Sequence, residues 1–423
     1  MKKNNKIEIF KIVNSKYFIP QLENNWNIRK ESWFDIQTIN YNVTNKEINI
    51  NKDIKNIEVL RTKQIQLYLN KEHSKLIKGW IEIARIVYNL TVYYFRQNEL
   101  ISFRKLRPII KNLFNNNLLQ LIQKYKVPFH IITNAIADVC KNYKSAIALL
   151  KIGEIKYFKI RYKKINKPKQ SIVIERQNFA KLKNSFYIKT LGIINSSSPI
   201  NQQVIKHDSR LSYYDNKFIL NIPEDRKIIK PDIINKVCGI DPGNKSFLTI
   251  YNPEGECIKI ANRDTNNKLM KLIKRKVMFK KLTINKDCSK YRKATLRNNK
   301  RIRDLVKELH YKSARYICKN FEVIYLGKLS TKAITTKKGN MSKLEKLFTY
   351  AISHDTFRTI IKNKAEEFNQ EVKIVPEHYT SMTCGNCGNI KVINSSREYN
   401  CSNCKINIDR DLNGARNILI KNT

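Results

Sequence analysis

Lys236-Val-Cys-Gly-Ile-Asp241-Pro-Gly243 has the look of a buried strand that ends in a carboxylate and a glycine-bearing loop. Phe247–Tyr251 follows as a second apolar strand, the turn Asn252-Pro-Glu-Gly255 reverses the chain, and Cys257–Ile260 makes a third. This predicts a three-strand meander with Asp241 on its first strand. Residues 268–320 then read as a long helical stretch with 19 Lys or Arg against three acids (Asp287, Asp304, Glu308). Ile302, Leu305, Val306 and Leu309 mark its packed face. Val323–Leu326 reads as another buried strand, residues 342–370 as a helix and Val372–Val375 as a strand.

Upstream the periods differ. Lys63–Leu69 alternates apolar and polar residues as a strand does. Leu76, Trp80, Ile83, Ala84, Val87, Leu90 and Tyr94 recur at helical steps, and Pro128 opens a second such stripe, so residues 71–150 are expected to be helical packing elements. Phe158, Ile160 and Tyr162 alternate with Lys159, Arg161 and Lys163, which predicts a strand with one cationic face. With strands at Ser171–Glu175 and Lys217–Ile222, the latter after an Asp215-Asn216 turn, residues 155–228 suggest a small barrel or curled sheet. Residues 1–58 carry no motif.

The chain has 423 residues, with 82 basic against 35 acidic, a net charge of +47. Codon bias toward Lys, Asn and Ile explains the lysines but not the scarcity of acids. Hydrophobic residues make up 42%, too many for a disordered basic tail, so a folded protein with a polyanionic partner is expected, nucleic acid first. No run of about 18 uncharged apolar residues suggests a membrane span, and the N-terminus has no signal-peptide pattern. Five of the nine cysteines are scattered (Cys140, Cys238, Cys257, Cys288, Cys318), which fits a reduced intracellular protein. Lysine pairs such as Lys163-Lys164 and Lys337-Lys338 are compatible with a nuclear location but occur throughout the chain and decide nothing.

The other four cysteines form two CxxC knuckles, Cys384/Cys387 and Cys401/Cys404, with 13 residues between them. That spacing brings four thiolates into the tetrahedron of a closed structural zinc site, with no position left for water. The acids suggest a second metal chemistry. Hydrolysis of a phosphodiester with magnesium needs two or three converging carboxylates. Asp241 at a strand end and Asp411 at the start of the last helix, with Gly414 and Ala415 beside it, are the candidates, although either residue could be a cap.

Gly239-Ile-Asp-Pro-Gly243, Thr380-Ser-Met-Thr-Cys-Gly-Asn-Cys-Gly388 and Asp409-Arg-Asp-Leu-Asn-Gly-Ala-Arg-Asn417 closely resemble the RuvC and zinc-ribbon motifs of TnpB proteins, the transposon-encoded ancestors of type V CRISPR effectors. Leu67-Tyr-Leu-Asn70, Ala84-Arg-Ile-Val-Tyr-Asn89 and Phe158-Lys-Ile-Arg-Tyr-Lys163 extend the resemblance over roughly residues 60–420. It implies an α/β multidomain protein with an RNase H-like RuvC core and an inserted zinc ribbon. The expected boundaries are an extension at 1–58, a first wedge-barrel strand at 59–70, a helical recognition domain at 71–150 and a wedge β-barrel at 151–235. The nuclease core would follow at 236–380, the ribbon at 381–405 and the C-terminal helix at 406–423. The implied activity is cleavage of double-stranded DNA guided by an RNA.

One position departs from the family. Gly327, in Ile324-Tyr-Leu-Gly-Lys-Leu329, stands where the second acid is usually a Glu. Glu377, just past the next strand, resembles the relocated Glu of the Fanzor branch, and the resemblance assigns Asp241, Glu377 and Asp411 to magnesium. Glu322 and Asp409 are rival acids, the first placed too early in its strand and the second reading as a cap. Two other functions stay open at this point: a nucleic-acid-binding regulator on a decayed nuclease, and a DNA-strand-transfer transposase.

Overall fold

The computed structural model describes residues 18–20, 22, 25–43, 58–97, 102–165, 169–231, 235–285, 289–336, 341–391 and 396–422. Cys288 and the Lys337-Lys338 pair lie outside the described residues. The chain divides into two compact units, one of residues 1–59 with 227–423 and one of residues 60–226.

The first described strands are β1 (Asn27–Glu31) and β2 (Phe34–Asn40), an antiparallel hairpin turning at Ser32, whose φ is 62°. This stretch, without a motif in the sequence, is an edge of the larger sheet. Phe34 and Ile36 are buried in the core of the helices on one face of the sheet and Ile39 in the core of the last helix on the other, while Asp35, Gln37 and Thr38 between them are not buried, so both faces dock and a polar composition hides the strand.

In the unit of residues 60–226 a five-stranded sheet has the order β4-β6-β7-β3-β5. Its strands are β3 (Glu58–Tyr68), β4 (Gln170–Ile174), β5 (Asn195–Ser196), β6 (Ser209–Tyr214) and β7 (Lys217–Lys227). Asp215 and Asn216, both at positive φ, make the tight turn between β6 and β7. Four helices, Lys71–Gln97, Phe103–Asn112, Asn116–Lys124 and Phe129–Lys151, share a core with the sheet around buried Trp80, whose indole donates to the Tyr125 carbonyl at 2.8 Å.

The expected strand at Phe158–Lys163 is extended but pairs with no other strand among the described residues. Its backbone is satisfied by helix side chains instead. Asn89 bonds both the N–H and the carbonyl of Lys163, at 2.7 and 3.1 Å, and Arg96 donates to the Ile160 carbonyl at 2.7 Å. Ile160 and Phe158 still face inward, against Tyr88, Val92 and Val139 and against Tyr143. The expected faces hold for Phe158 and Ile160 and fail beyond them: Tyr162 is exposed and Lys163 turns inward, its ammonium 3.9 Å from the Tyr88 ring centroid, and an asparagine and an arginine replace the ladder.

The other unit is built on a seven-stranded sheet of order β1-β2-β10-β9-β8-β11-β12. It adds β8 (Asn235–Pro242), β9 (Leu248–Asn252), β10 (Glu256–Ile260), β11 (Phe321–Gly327) and β12 (Glu371–Val375). The expected meander is β8-β9-β10, antiparallel throughout, while β11 and β12 run parallel to β8. Alternate residues serve two cores. Cys238, Ile240, Ile324 and Leu326 pack with the helices Arg263–Asn285, Ser289–Asn320, Lys343–Ile352 and His354–Phe368. Val237, Tyr251, Val323 and Tyr325 pack with the last helix, Arg410–Asn422. The single helix expected over 342–370 is two, broken at Ser353, whose φ of 50° no helix accommodates. Two short strands, β13 (Glu398–Asn400) and β14 (Asn407–Asp409), complete the ribbon before that last helix.

Candidate active site and metal cluster

Parallel pairing carries the C-terminal ends of β8, β11 and β12 to one edge of the sheet. Asp241 is the penultimate residue of β8, and Gly327 ends β11 opposite Val375, which ends β12. Glu377, two residues beyond Val375, turns back over Gly327. A Cβ on Gly327 would lie 2.8 Å from Glu377 Cγ and 2.9 Å from Cδ, and would collide with Oε1. Asp411 lies in the first turn of the helix Arg410–Asn422. Gly414 lets that helix against β8: a Cβ there would lie 2.7 Å from Asp241 Oδ2. All three acids therefore reach the same edge of one sheet, drawn from three distant parts of the chain.

Their electrostatics reflect the crowding. Burial pushes the Asp241 carboxyl well above the usual range, and Glu377 and then Asp411 push it further, with Arg410 working against them. Burial raises Glu377 to about 7, eased by Arg358. Glu377 Oε1 is buried without a hydrogen-bond partner. Arg410 pairs with Asp411 at 3.4 Å. The acids do not close into one tight knot. Among the described residues, the cysteines alone form a group of three or more ligand atoms all within 4.8 Å of one another.

In that group Cys384 Sγ lies 3.6 Å from Cys404 Sγ, and Cys387 Sγ lies 3.5 Å from Cys401 Sγ. These separations are far too long for disulfides, and close to the roughly 3.8 Å between thiolates 2.3 Å from a tetrahedral zinc. The donor set fits a structural zinc ion. The first knuckle is fastened to the last helix: the Gly385 N–H donates to Asn413 Oδ1 at 2.9 Å, and Asn413 and Asn417 each donate to the Thr383 carbonyl at 2.8 Å.

The rival acids take other parts. Asp409 Oδ1 accepts from the backbone N–H groups of Asp411 and Leu412 at 3.0 and 3.1 Å, a helix cap, while its Oδ2 pairs with Lys259 at 2.7 Å. Glu322 stands at the opposite end of β11 from Gly327. Sequence reading missed Arg358, which pairs with Asp355 and donates to the Leu329 carbonyl at 3.1 Å. It lines a cavity of about 570 Å³ with Lys328, Lys332, Glu377 and His378. No motif marks it, since its role depends on how helix His354–Phe368 packs beside β12.

A family model described as Cas12f1-like, TNB domain, matches residues 354–418. The TnpB-like protein L79 of Acanthamoeba polyphaga mimivirus is 30% identical over 407 residues, covering 89% of this chain and 76% of that protein. The TnpB-like protein R854 of the same virus is 30% identical over 404 residues, covering 89% and 75%. The cryo-EM structure of a Cas12f1–sgRNA–target DNA complex is similar at 14% identity with a TM-score of 0.47, over 82% of this chain and 83% of that one. That likeness is loose. No helix among the described residues is long and apolar enough to cross a membrane.

Proposed function

Because this chain belongs to the TnpB-like family of transposon-associated nucleases, we propose that it is an RNA-guided DNA endonuclease of the Fanzor type, cutting double-stranded DNA by magnesium-dependent hydrolysis. The observation that carries this reading is the placement of Glu377 over Gly327, where it supplies the carboxylate that β11 lacks. A decayed nuclease would have no reason to keep a buried, unpartnered carboxylate oxygen beside Asp241.

Asp241, Glu377 and Asp411 would hold the magnesium. Two such ions, when bound, would supply a water nucleophile at neutral pH and stabilise the leaving oxygen. A pair suits three carboxylates that share an edge without sharing one tight shell. Gly327 and Gly414 leave room for those carboxylates, and Asp409 fixes the first turn that aims Asp411. Zinc would sit on Cys384, Cys387, Cys401 and Cys404 and hold the ribbon on the same helix. The guide RNA would supply sequence specificity by base pairing, leaving the protein to hold backbone. The basic helices Arg263–Asn285 and Ser289–Asn320 are suited to such contacts.

The test is plasmid cleavage by protein purified with its co-expressed RNA, with and without magnesium. Cleavage should need magnesium and the RNA, and Glu377→Gln should abolish it while DNA binding persists. Normal cutting by Glu377→Gln would remove Glu377 from the site. Joined DNA products in place of cut ends would mark a strand-transfer enzyme.

A further inference from the structure

In a chain with 82 Lys and Arg, Arg416 is the one such side chain among the described residues that is fully buried, at 0% exposure. Its Nε donates to the Phe18 carbonyl at 2.8 Å, and its Nη1 donates to the Gly385 carbonyl. Tyr251 Oη donates to that same Phe18 carbonyl at 2.7 Å, and the Tyr251 ring lies 5.9 Å from the guanidinium carbon. Gly385 directly follows Cys384, so a charge-assisted bond lands on the backbone of the first cysteine knuckle. Burial works against the charged form of Arg416, while Tyr251 and then Cys384 favour it.

A buried guanidinium is expensive unless an anion offsets it. Four thiolates on one divalent ion leave two negative charges, and Cys384 and Cys401 are themselves buried. Each charge lowers the cost of burying the other. Asn413 and Asn417, on the same helix, tie the same knuckle with neutral amides, so they can position it but cannot balance it. We propose that Arg416 is the counter-charge of the four-cysteine cluster, holding its first knuckle on the helix that carries Asp411. This rests on reading the cysteines as a zinc site, and the experiment separates the two claims.

Zinc retention against a competing chelator is measured on the full chain for the native protein, R416K, R416Q and N413A, with cobalt absorption reporting tetrahedral thiolate ligation. R416Q should weaken retention by about 10–100-fold, the usual effect of losing a partner that supports a metal ligand. R416K should stay within about threefold, because it keeps the charge, and N413A should lose less than R416Q. In a C404H background, with one negative charge fewer, R416Q should cost a smaller factor. Native retention by R416Q, or equal losses in R416K and R416Q, overturns the proposal. If R416Q gives no folded protein, R416K decides alone: a tenfold loss in R416K also overturns it. A native protein that takes up neither zinc nor cobalt defeats the zinc reading itself.

Discussion

Glu377 occupies the space that a side chain on Gly327 would need, its Cγ and Cδ 2.8 and 2.9 Å from the position of the missing Cβ. The two residues belong to neighbouring parallel strands, one at the end of β11 and the other just past β12. Moving the acid one strand over is therefore a short step in space, about 4.8 Å. It requires that the old position be empty.

Gly327→Ala is expected to displace the Glu377 carboxylate. A misplacement of about 1 Å at a reacting centre can cost about a hundredfold in rate, so cleavage should fall by that order while DNA binding holds. Overpacking adds about 1–3 kcal/mol of destabilisation. Gly327→Glu combined with Glu377→Ala should recover part of the lost rate. Single-turnover cleavage by Gly327→Ala, by Glu377→Ala alone and by the double variant tests this, and native rates in Gly327→Ala would refute the displacement.

The same logic applies to Gly414, with a sign that separates helix propensity from packing. Alanine in a helix interior is worth about 1 kcal/mol over glycine. Here its Cβ would lie 2.7 Å from Asp241 Oδ2, so either the carboxylate or the helix must move. Gly414→Ala should lose cleavage without gaining stability. A variant that melts higher and still cuts would show that the helix has room to spare.

Much of this site is legible in the sequence because its signals are local. The CxxC pairs, the strand ending at Asp241 and the helix opening at Asp411 each lie within one short segment, where spacing fixes geometry. Glu377 becomes readable only through its neighbour, since Gly327 shows what is missing and the adjacent parallel strand shows where a substitute can stand. Arg358 carries no local signal, and Arg416, although inside the 409–417 motif, has a partner that no spacing shows. Arg416 meets a carbonyl 398 residues away, at Phe18. The edge hairpin β1–β2 is hidden for a related reason, since Phe34 and Ile36 dock on one face and Ile39 on the other, which breaks the period of two that marks a strand.

Two histidines in the core beneath the site give a pH dependence of stability. His310 and His354 both stack on Phe247. Burial lowers His310 to about 4, against its bond to the Ile352 carbonyl, and lowers His354 to about 3, helped by His310 and Arg358 and opposed by the Gly243 backbone. The folded values lie below the unfolded value of about 6.5, so the unfolded chain binds more protons between them. Stability is then complete above about pH 6.5 and is lost as pH falls toward 4, by up to about 1.4 kcal/mol per pH unit for each histidine. The His354 ring nitrogens make no hydrogen bond of good geometry, the Gly243 backbone acting on them only weakly. His354→Phe should therefore keep the stack and flatten the profile of thermal midpoint against pH. An unchanged slope in that variant would assign the acid sensitivity elsewhere.

Asp409 and Asp411 are two residues apart, yet they should separate cleanly. Asp409 caps the helix and pairs with Lys259, both side chains being largely buried. Asp409→Ala removes a cap worth about 1 kcal/mol and strands a largely buried ammonium, for a total on the order of 2–4 kcal/mol. Cleavage should survive, at reduced rate, at temperatures where the variant stays folded. Asp411→Asn should leave the melting temperature nearly unchanged and abolish cleavage, because its carboxylate is needed for metal and not for the helix. Thermal melts and cleavage assays on the two proteins, run at one temperature below both midpoints, give the comparison. If Asp411→Asn cuts while a folded Asp409→Ala does not, the cap and the ligand have been assigned the wrong way round, and the edge of the sheet must be rebuilt around Asp409.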